Sequence, residues 1–464
     1  MILKIGVALL FILAQLAQKT AFSAAEPPML FEEDPSLLTT SIQVIVRRGS
    51  AMDPEDKAGL SNFLSRLMLR GTKNRSREAF QSTLERLGGA LWVSTNHDTV
   101  VFSGKVIREN TAAFLKLVSE CLVEPALNKQ EFELLKREIT SEISYSKNRN
   151  AQLVGWAFRR SFFESSPLER PVNGTLSTVK KIKHKDIQPS YRSHFHKNNL
   201  VFAVASPFKD TDIRKQILEM WNAFPDGRHV APTVVHPKLS DRPLLIVVHK
   251  PATSTGSIVM GQPGIVANDP NRYALMLANF AFGSEAFSSR LFKVIRSDLG
   301  WTYAIHSTYH SLGSLSHQPS PFVIASTPSV EFTVKTLFKT WAMWKDFIEN
   351  GSKQAEIGLG KESLIHSYPF EFDSAEKRLS YKIRHLLYEV PILSPDEYAK
   401  TLESITVDQI KKAVQKQHHP NRWVMAVLAD KTVIEKQLDQ EQKDLPDDKR
   451  LKIHKVLSPE EVIQ

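Results

Sequence analysis

The chain has 464 residues, which is long enough for two or more packed domains. Hydrophobic residues make up 42% and charged residues 24%, so the composition excludes a globally disordered protein. The 60 lysine and arginine residues are interleaved with 50 aspartate and glutamate residues rather than focused into one basic stripe, which argues against nucleic-acid binding.

The first 25 residues have the pattern of a secretory signal peptide. Lys4 precedes the apolar run IGVALLFILAQLA, and the small-residue stretch TAFSAAEPP follows, with cleavage expected after Ser23 or Ala25. The run is too short for a convincing transmembrane helix, so no stable membrane span is expected after processing. An uncleaved anchor is the alternative. We therefore expect a periplasmic or secreted protein.

The most informative motif is GLSNFLSRLMLRGT, from Gly59 to Thr72, in a helix predicted over residues 57–70. It resembles the helix G-L-A-H-F-L-E-H-M-L-F-K-G-T of the insulinase or pitrilysin family, the zinc peptidases with the inverted H-x-x-E-H motif. In that frame the two zinc-binding histidine positions fall on Asn62 and Arg66, and the general-base glutamate position falls on Ser65. The alternative is an ordinary amphipathic core helix without any family relationship.

These three replacements remove the family's chemistry. Two histidines four residues apart share a helix face and bind zinc as neutral imidazoles, while the glutamate acts as a base on the metal-bound water. Asn62 is a poor zinc ligand and Ser65 is a poor base. Arg66 brings a permanent positive charge that opposes a divalent cation. The sequence therefore predicts no metal and no other cofactor in this chain.

The segment FELLKREITSEISYSKN, residues 132–148, resembles the helix that carries the family's third zinc ligand, which corresponds to Glu142. The supporting carboxylate seven residues earlier is replaced by Leu135. Glu142 borders an apolar stripe, and burying an unpaired charge is costly. Arg66 is the expected partner, the alternative being a solvated, unpaired Glu142. The resemblance also covers VIVRRGSAMDPEDKAG and LERLGGALWVSTNHDTVVFSGKV, which flank the motif helix.

The mature chain has the pattern of an internal duplication. KDIQPSYRSHFHKNNLVFAVAS, from Lys185, resembles VDQIKKAVQKQHHPNRWVMAVLAD, from Val407, and each copy predicts a helix, a polar turn and a buried strand. The paired histidines in both turns are interpreted as polar turn residues. The predicted segments are a signal peptide (1–25), an N-terminal peptidase-like domain with the degenerate zinc motif (26–238), a homologous C-terminal domain (239–434) and an exposed or frayed charged tail (435–464).

The C-terminal half carries a second signature, FSSRLFKVIRSDLGWTYAIHSTY, residues 287–309. It resembles the family block F-S-S-R-L-(F/Y)-x-x-(L/V)-R-x-x-x-G-(L/W)-x-Y. In active members this arginine and tyrosine reach the zinc site of the opposite half or subunit, bind substrate backbone and stabilise the transition state. The matching residues are Arg296 and Tyr303. The alternative is a helix-surface cation and an inward strand aromatic.

The resemblance implies an α+β fold of two similar halves, each an antiparallel sheet of about five or six strands with helices packed on one face. Chains of this length resemble subunits of the mitochondrial processing peptidase and its bacterial relatives. The leading hypothesis is a zinc-less subunit of an exported heterodimeric metallopeptidase, inactive alone.

In this hypothesis the chain supplies Arg296 and Tyr303 in trans to a zinc-bearing partner with an intact H-x-x-E-H motif, which cleaves peptides. One alternative is a peptide-binding scaffold or chaperone-like protein without proteolytic activity, which holds extended chains by strand addition. The other is an autonomous hydrolase with relocated metal or metal-free chemistry.

Overall fold

The computed structural model describes residues 26–237, 239–309 and 318–464, and the predicted signal peptide lies outside them. Two sheets of five and six strands organise the chain, with helices packed against them, which confirms the α+β fold of two similar halves. The strands are β1 (Met29–Glu33), β2 (Thr39–Val46), β3 (Gly89–Thr95), β4 (Val100–Ile107), β5 (Leu200–Ser206), β6 (Leu244–His249), β7 (Ser257–Pro263), β8 (Thr302–Tyr309), β9 (Pro321–Pro328), β10 (Val424–Ala429) and β11 (Ile453–Leu457).

In both halves the α-helices follow pairs of strands, and a run of five helices leads into β5 and another into β10. They are α1 (Leu60–Met68), α2 (Arg77–Arg86), α3 (Thr111–Val123), α4 (Lys129–Tyr145), α5 (Asn150–Phe162), α6 (Leu176–Lys181), α7 (His184–His194), α8 (Asp210–Asn222), α9 (Arg272–Asn279), α10 (Thr333–Asn350), α11 (Gln354–Ser367), α12 (Ala375–Tyr388), α13 (Pro395–Ser404), α14 (Val407–Gln417), α15 (Lys431–Glu441) and α16 (Pro459–Ile463). Among the described residues, no helix has both the length and the apolar composition that crossing a bilayer requires.

The two sheets share one strand order. The first runs β1-β5-β2-β4-β3, and the second runs β6-β10-β7-β9-β8 with β11 added beside β6. Most pairs are antiparallel, but β1 with β5, β6 with β10, and β6 with β11 are parallel. Long crossovers separate these partners along the chain, as parallel pairing requires. The duplicated segments occupy equivalent places, since α7 leads into β5 and α14 leads into β10.

Each half lends one helix to the sheet of the other half. The central strands β5 and β10 are buried along their whole length, so each is covered on both faces. Helix α5 covers the second sheet, where a Cβ at Gly261 of β7 would lie 2.3 Å from the Phe158 ring. Helix α12 covers the first sheet, with Ala375 and Leu379 against the alanines of β5. The prediction of helices on one face is therefore incomplete, and the exchanged helices join the halves.

The prediction of an exposed helix or frayed extension from residue 435 onward is right for the end of α15 but wrong for the residues after it. Strand β11 pairs with β6 and extends the second sheet by one strand. The short helix α16 follows and buries Val462 and Ile463 in the core that contains α5. Few apolar residues are spread among many charged ones in this segment, so its composition conceals a strand and a helix that form only through contacts with distant elements.

Ile463 gives a direct test of the docked C-terminus, because its side chain is 3% exposed. We predict that Ile463→Ala lowers the free energy of unfolding by about 2 to 4 kcal/mol, the usual cost of truncating a buried isoleucine. Chemical denaturation followed by circular dichroism measures the effect. The matched control is Glu460→Ala in the same helix, at an exposed position, which should change stability by less than about 0.5 kcal/mol. Equal midpoints for both variants would contradict the docked arrangement.

Candidate functional site

A buried polar network fixes the start of the motif helix α1. Gly59 precedes the helix with φ of 97°, and a Cβ there would lie 2.7 Å from the carbonyl oxygen of Asn173. The Asp53 carboxylate accepts hydrogen bonds from the Gly59 and Ser61 backbone nitrogens, both at 3.0 Å. The Ser61 hydroxyl donates to the same carboxylate at 2.5 Å and lies 2.9 Å from His194 Nε2. This network holds α1 in one position and orientation.

Burial changes the acid–base properties of this network. It raises the pKa of Asp53 to about 6, although Ser61 and Gly59 donate hydrogen bonds to the carboxylate. It lowers the pKa of His194 to about 3, so this histidine is neutral at pH 7. His194 ends helix α7 and His418 directly follows α14, and both are buried and hydrogen-bonded, so these polar residues have structural partners.

Two of the degenerate positions have become part of the interior. Asn62 and Ser65 are buried on α1, and the Asn62 amide nitrogen has no hydrogen-bond partner within the described protein. The Ser65 hydroxyl donates to the Asn62 carbonyl oxygen and lies 3.0 Å from the Thr95 hydroxyl. Leu135, at the position of the supporting carboxylate, is fully buried. These side chains serve packing and local hydrogen bonds rather than metal binding.

Arg66 and Glu142 pair as the sequence predicts. Two hydrogen bonds of 2.7 Å join the guanidinium of Arg66 on α1 to the carboxylate of Glu142 on α4, in bidentate geometry. The hydrogen bonds from Arg66 lower the pKa of Glu142. The side chains are 26% and 50% exposed, so solvent weakens their attraction. The only matching zinc ligand is therefore engaged by a cation, and these residues do not fit a zinc ion.

A second arginine strengthens the connection between the same two helices. Arg70, one turn after Arg66, forms ion pairs with Glu131 and Glu138 of α4. Its side chain is only 10% exposed. Arg70, just after the end of α1, was not predicted as a site residue, although the four-residue spacing of Arg66 and Arg70 matches that of Glu138 and Glu142 on α4. Within the described ranges, no three histidine, cysteine, aspartate or glutamate side chains cluster as metal ligands.

Arg296 and Tyr303 lie together at the surface of the C-terminal half. The Arg296 guanidinium carbon lies 4.8 Å from the centroid of the Tyr303 ring and 4.6 Å from that of the Phe292 ring. Tyr303 is 82% exposed. The pairing of β8 with β9 shifts its register between Thr302 and Ile305, and the two residues at this shift, Tyr303 and Ala304, both face solvent. Arg296 has no hydrogen-bond or ion-pair partner among the described residues. The guanidinium edge and the phenol hydroxyl are thus available to a ligand.

The degenerate site borders a cavity in the first half. A cavity of about 540 Å³ lies beside Glu142 and is also lined by Tyr145 and Arg149. Gln152 and Asn173 line both this cavity and a second one, of about 420 Å³, between α5 and the second sheet. The two cavities are therefore neighbours, and the second of them is lined by residues of both halves.

Two protein-family models match the chain and cover most of it. The model described as insulinase, peptidase family M16, matches residues 28–176, which include the degenerate motif helix and Glu142. The model described as the peptidase M16 inactive domain matches residues 181–364, which include Arg296 and Tyr303. The chain belongs to peptidase family M16. Within this family it is a member in which both zinc-binding histidine positions are replaced.

Curated M16 relatives are similar over much of the chain. The non-peptidase homolog YmxG of Helicobacter pylori is 21% identical, across 88% of this chain and 93% of the relative. The probable beta subunit of the mitochondrial-processing peptidase of Arabidopsis thaliana is 23% identical, across 61% of this chain and 53% of the relative. The crystal structure of a peptidase M16 inactive domain from Pseudomonas fluorescens superposes with a TM-score of 0.80 at 20% identity, covering 88% and 96% of the chains. This last similarity establishes the fold alone.

Arg66 and Arg70 should contribute unequally to stability. We predict that Arg66→Ala costs less than about 1 kcal/mol, because its ion pair is partly solvated. Arg70→Ala should cost about 2 to 3 kcal/mol, because Arg70 is mostly buried, Glu138 loses its ion-pair partner and Glu131 keeps only its longer pair with Arg77. Urea denaturation of both variants measures the difference. An Arg66 variant less stable than the Arg70 variant would contradict this ranking.

Zinc content tests the interpretation of the degenerate site. We expect the purified chain and the Arg66→His variant to hold no stoichiometric zinc, because neither combines two imidazoles with Glu142. The double variant Asn62→His, Arg66→His should gain about one zinc per chain, since a helical spacing of four places both ligands on one face. Elemental analysis after dialysis measures the metal, and Glu142→Gln in the double variant is the control that should remove it. One tightly bound zinc in the wild-type chain would reject the interpretation.

Proposed function

We propose that this chain is the non-catalytic, zinc-less subunit of an exported heterodimeric M16 peptidase. In this proposal it supplies Arg296 and Tyr303 to the active site of a zinc-bearing partner. The observation that carries the proposal is the contrast between the two signatures. The degenerate site is occupied by side-chain pairing. Tyr303, in contrast, is exposed, Arg296 lies half-buried beside it, and neither makes a hydrogen bond or ion pair within the described protein.

The exposed pair has the donors that peptide hydrolysis needs beside a zinc site. The rings of Phe292 and Tyr303 contact the Arg296 guanidinium and orient it, and its N–H groups have no hydrogen-bond partner among the described residues. The Tyr303 hydroxyl adds a further donor at the same surface. Preorganised donors of this kind stabilise the oxyanion that develops on a scissile carbonyl. The partner, with an intact H-x-x-E-H motif, would hold the zinc and the general base.

Two further observations support the proposal. One relative is named a non-peptidase homolog and another a subunit of a processing peptidase, which fits a family in which some chains lack activity and some work in assemblies. The N-terminal pattern of Lys4, an apolar run and small residues supports export to the periplasm or beyond. In this proposal the complex cleaves peptides, because the partner belongs to a peptidase family.

Kinetics of the co-expressed pair test the role of Arg296 and Tyr303. The partner is a chain with an intact H-x-x-E-H motif, chosen from a neighbouring gene, and turnover of a fluorogenic peptide is the measurement. We predict that Tyr303→Phe or Arg296→Ala lowers kcat roughly 100-fold to 1000-fold, because each removes a donor to the transition state. Assembly by size-exclusion chromatography and the zinc content of the partner should stay unchanged.

Arg86→Ala is the control, because it removes an exposed guanidinium from α2 in the other half. It should leave kcat unchanged. A well-folded complex that keeps full activity with both Arg296→Ala and Tyr303→Phe would overturn the proposal.

A peptide-binding scaffold is the second candidate, and the edge strand β3 favours it. This strand lies at the end of the first sheet, with exposed Ala90, Trp92 and Ser94, and Trp92 is 51% exposed. An open edge offers unpaired backbone groups to an extended peptide. Strong binding of extended peptides by the chain alone, combined with no activation of any zinc-bearing partner, would favour the scaffold.

A further inference from the structure

The 420 Å³ cavity between α5 and the second sheet has walls that are mostly apolar. Trp156 and Phe163 contribute from the first half, and Val259, Val323 and Ala325 contribute from β7 and β9. Its volume lies in the range of pockets that enclose small ligands or side chains. None of the residues that line it is an aspartate or a glutamate.

One cation lines this cavity without a counter-charge. Arg159 of α5 makes one long hydrogen bond, 3.5 Å from Nη1 to the Leu168 carbonyl oxygen, and no ion pair among the described residues. The residues outside the described ranges contain no aspartate or glutamate. Burial lowers the pKa of Arg159 to about 10, so the guanidinium stays charged at pH 7. A charge in apolar surroundings is costly unless an anion accompanies it.

Polar groups continue from the cavity towards the degenerate site. His97 and His306 lie on the walls contributed by the first and second halves, and Gln152 and Asn173 are shared with the cavity beside Glu142. A bound chain that continues out of the 420 Å³ cavity past Gln152 and Asn173 would reach the neighbouring cavity. The two adjoining cavities therefore suit the end of a longer chain.

We propose that this cavity binds the carboxyl terminus of an extended peptide whose last side chain is apolar. The Arg159 guanidinium pairs with the terminal carboxylate, since its planar donors match carboxylate geometry. The apolar walls enclose the last side chain, and the preceding residues pass Gln152 and Asn173. The inference rests on the proposed role of the chain with peptides, but it concerns a site other than Arg296 and Tyr303 and is tested without any partner.

Isothermal titration of the chain alone tests the proposal. The probe is an N-acetylated hexapeptide of neutral residues that ends in leucine, as the free acid and as the C-terminal amide. The free acid should bind about 10-fold to 100-fold more tightly, as expected from charge-assisted hydrogen bonds to one carboxylate. Decanoate supplies the same chemistry from a fatty acid and should bind more weakly than the free-acid peptide.

Two variants separate binding from folding. Arg159→Met should remove the preference for the free acid while the melting temperature stays equal or rises, because an unpaired cation is replaced by an apolar side chain. Gly155→Phe should abolish binding of both peptides, since Gly155 lines the cavity and a Cβ there meets nothing within 4 Å. Arg160→Gln, at the exposed adjacent position, is the matched control and should bind as the wild type does.

Three results would overturn the inference. The first is equal affinity for the free-acid and the amide peptide, and the second is an unchanged preference for the free acid in Arg159→Met. The third is tighter binding of decanoate than of the peptide, which would indicate a fatty-acid site. The kinetic test of Arg296 and Tyr303 in the partnered complex measures the function of a different site. Failure of carboxylate binding with retained kinetic effects would therefore remove this inference and leave the proposed function standing.

Discussion

Arginine–glutamate pairing between α1 and α4 is the interaction on which the degenerate site depends. In a zinc peptidase of this family a metal ion would connect these two helices. Here Arg66 and Arg70 connect them through Glu142, Glu138 and Glu131. The carboxylate that matches a zinc ligand thus keeps a cationic partner. This pairing explains how α1 and α4 stay packed together although the two zinc-binding histidines are absent.

The exchange of helices between the halves determines which residues line the cavity between α5 and the second sheet. Because α5 lies on the second sheet, Arg159 of the first half meets apolar residues of β7 and β9 and not its own acidic neighbours in sequence. Because α12 of the second half packs on the first sheet, this helix also joins the two halves. The C-terminal strand and helix complete the covering of α5. The 420 Å³ cavity is therefore a product of the helix exchange between the halves.

The sequence predicted those features that depend on local pattern. The motif helix, the helix of Glu142 and the turn between Arg296 and Tyr303 all have fixed spacings, so their frames could be aligned residue by residue. The pairing of Arg66 with Glu142 followed from that frame and from the cost of an unpaired charge. The ion pairs of Arg70 could also have been predicted from the matching spacing of arginines and glutamates. That prediction would first require knowing that the two segments are neighbours.

Other features could not be predicted because distant contacts create them. Val462 and Ile463 lie in a strongly charged segment, and only the surfaces of β6 and α5 give them a place in the core. Arg159 carries no local signal, since its apolar surroundings come from the other half. The outward position of Tyr303 accompanies an irregularity in strand pairing, which alternation of residue types does not reveal.

Photo-crosslinking from position 303 tests most directly whether this chain serves a partner's active site. Tyr303 would be replaced by p-benzoylphenylalanine in the co-expressed complex, with the same replacement of Phe370, another highly exposed aromatic residue, as the control. The account predicts a crosslink from position 303 to the partner's H-x-x-E-H helix or to a bound peptide, and none to that helix from position 370. Crosslinks from position 303 only within its own chain, in an intact complex, would contradict it.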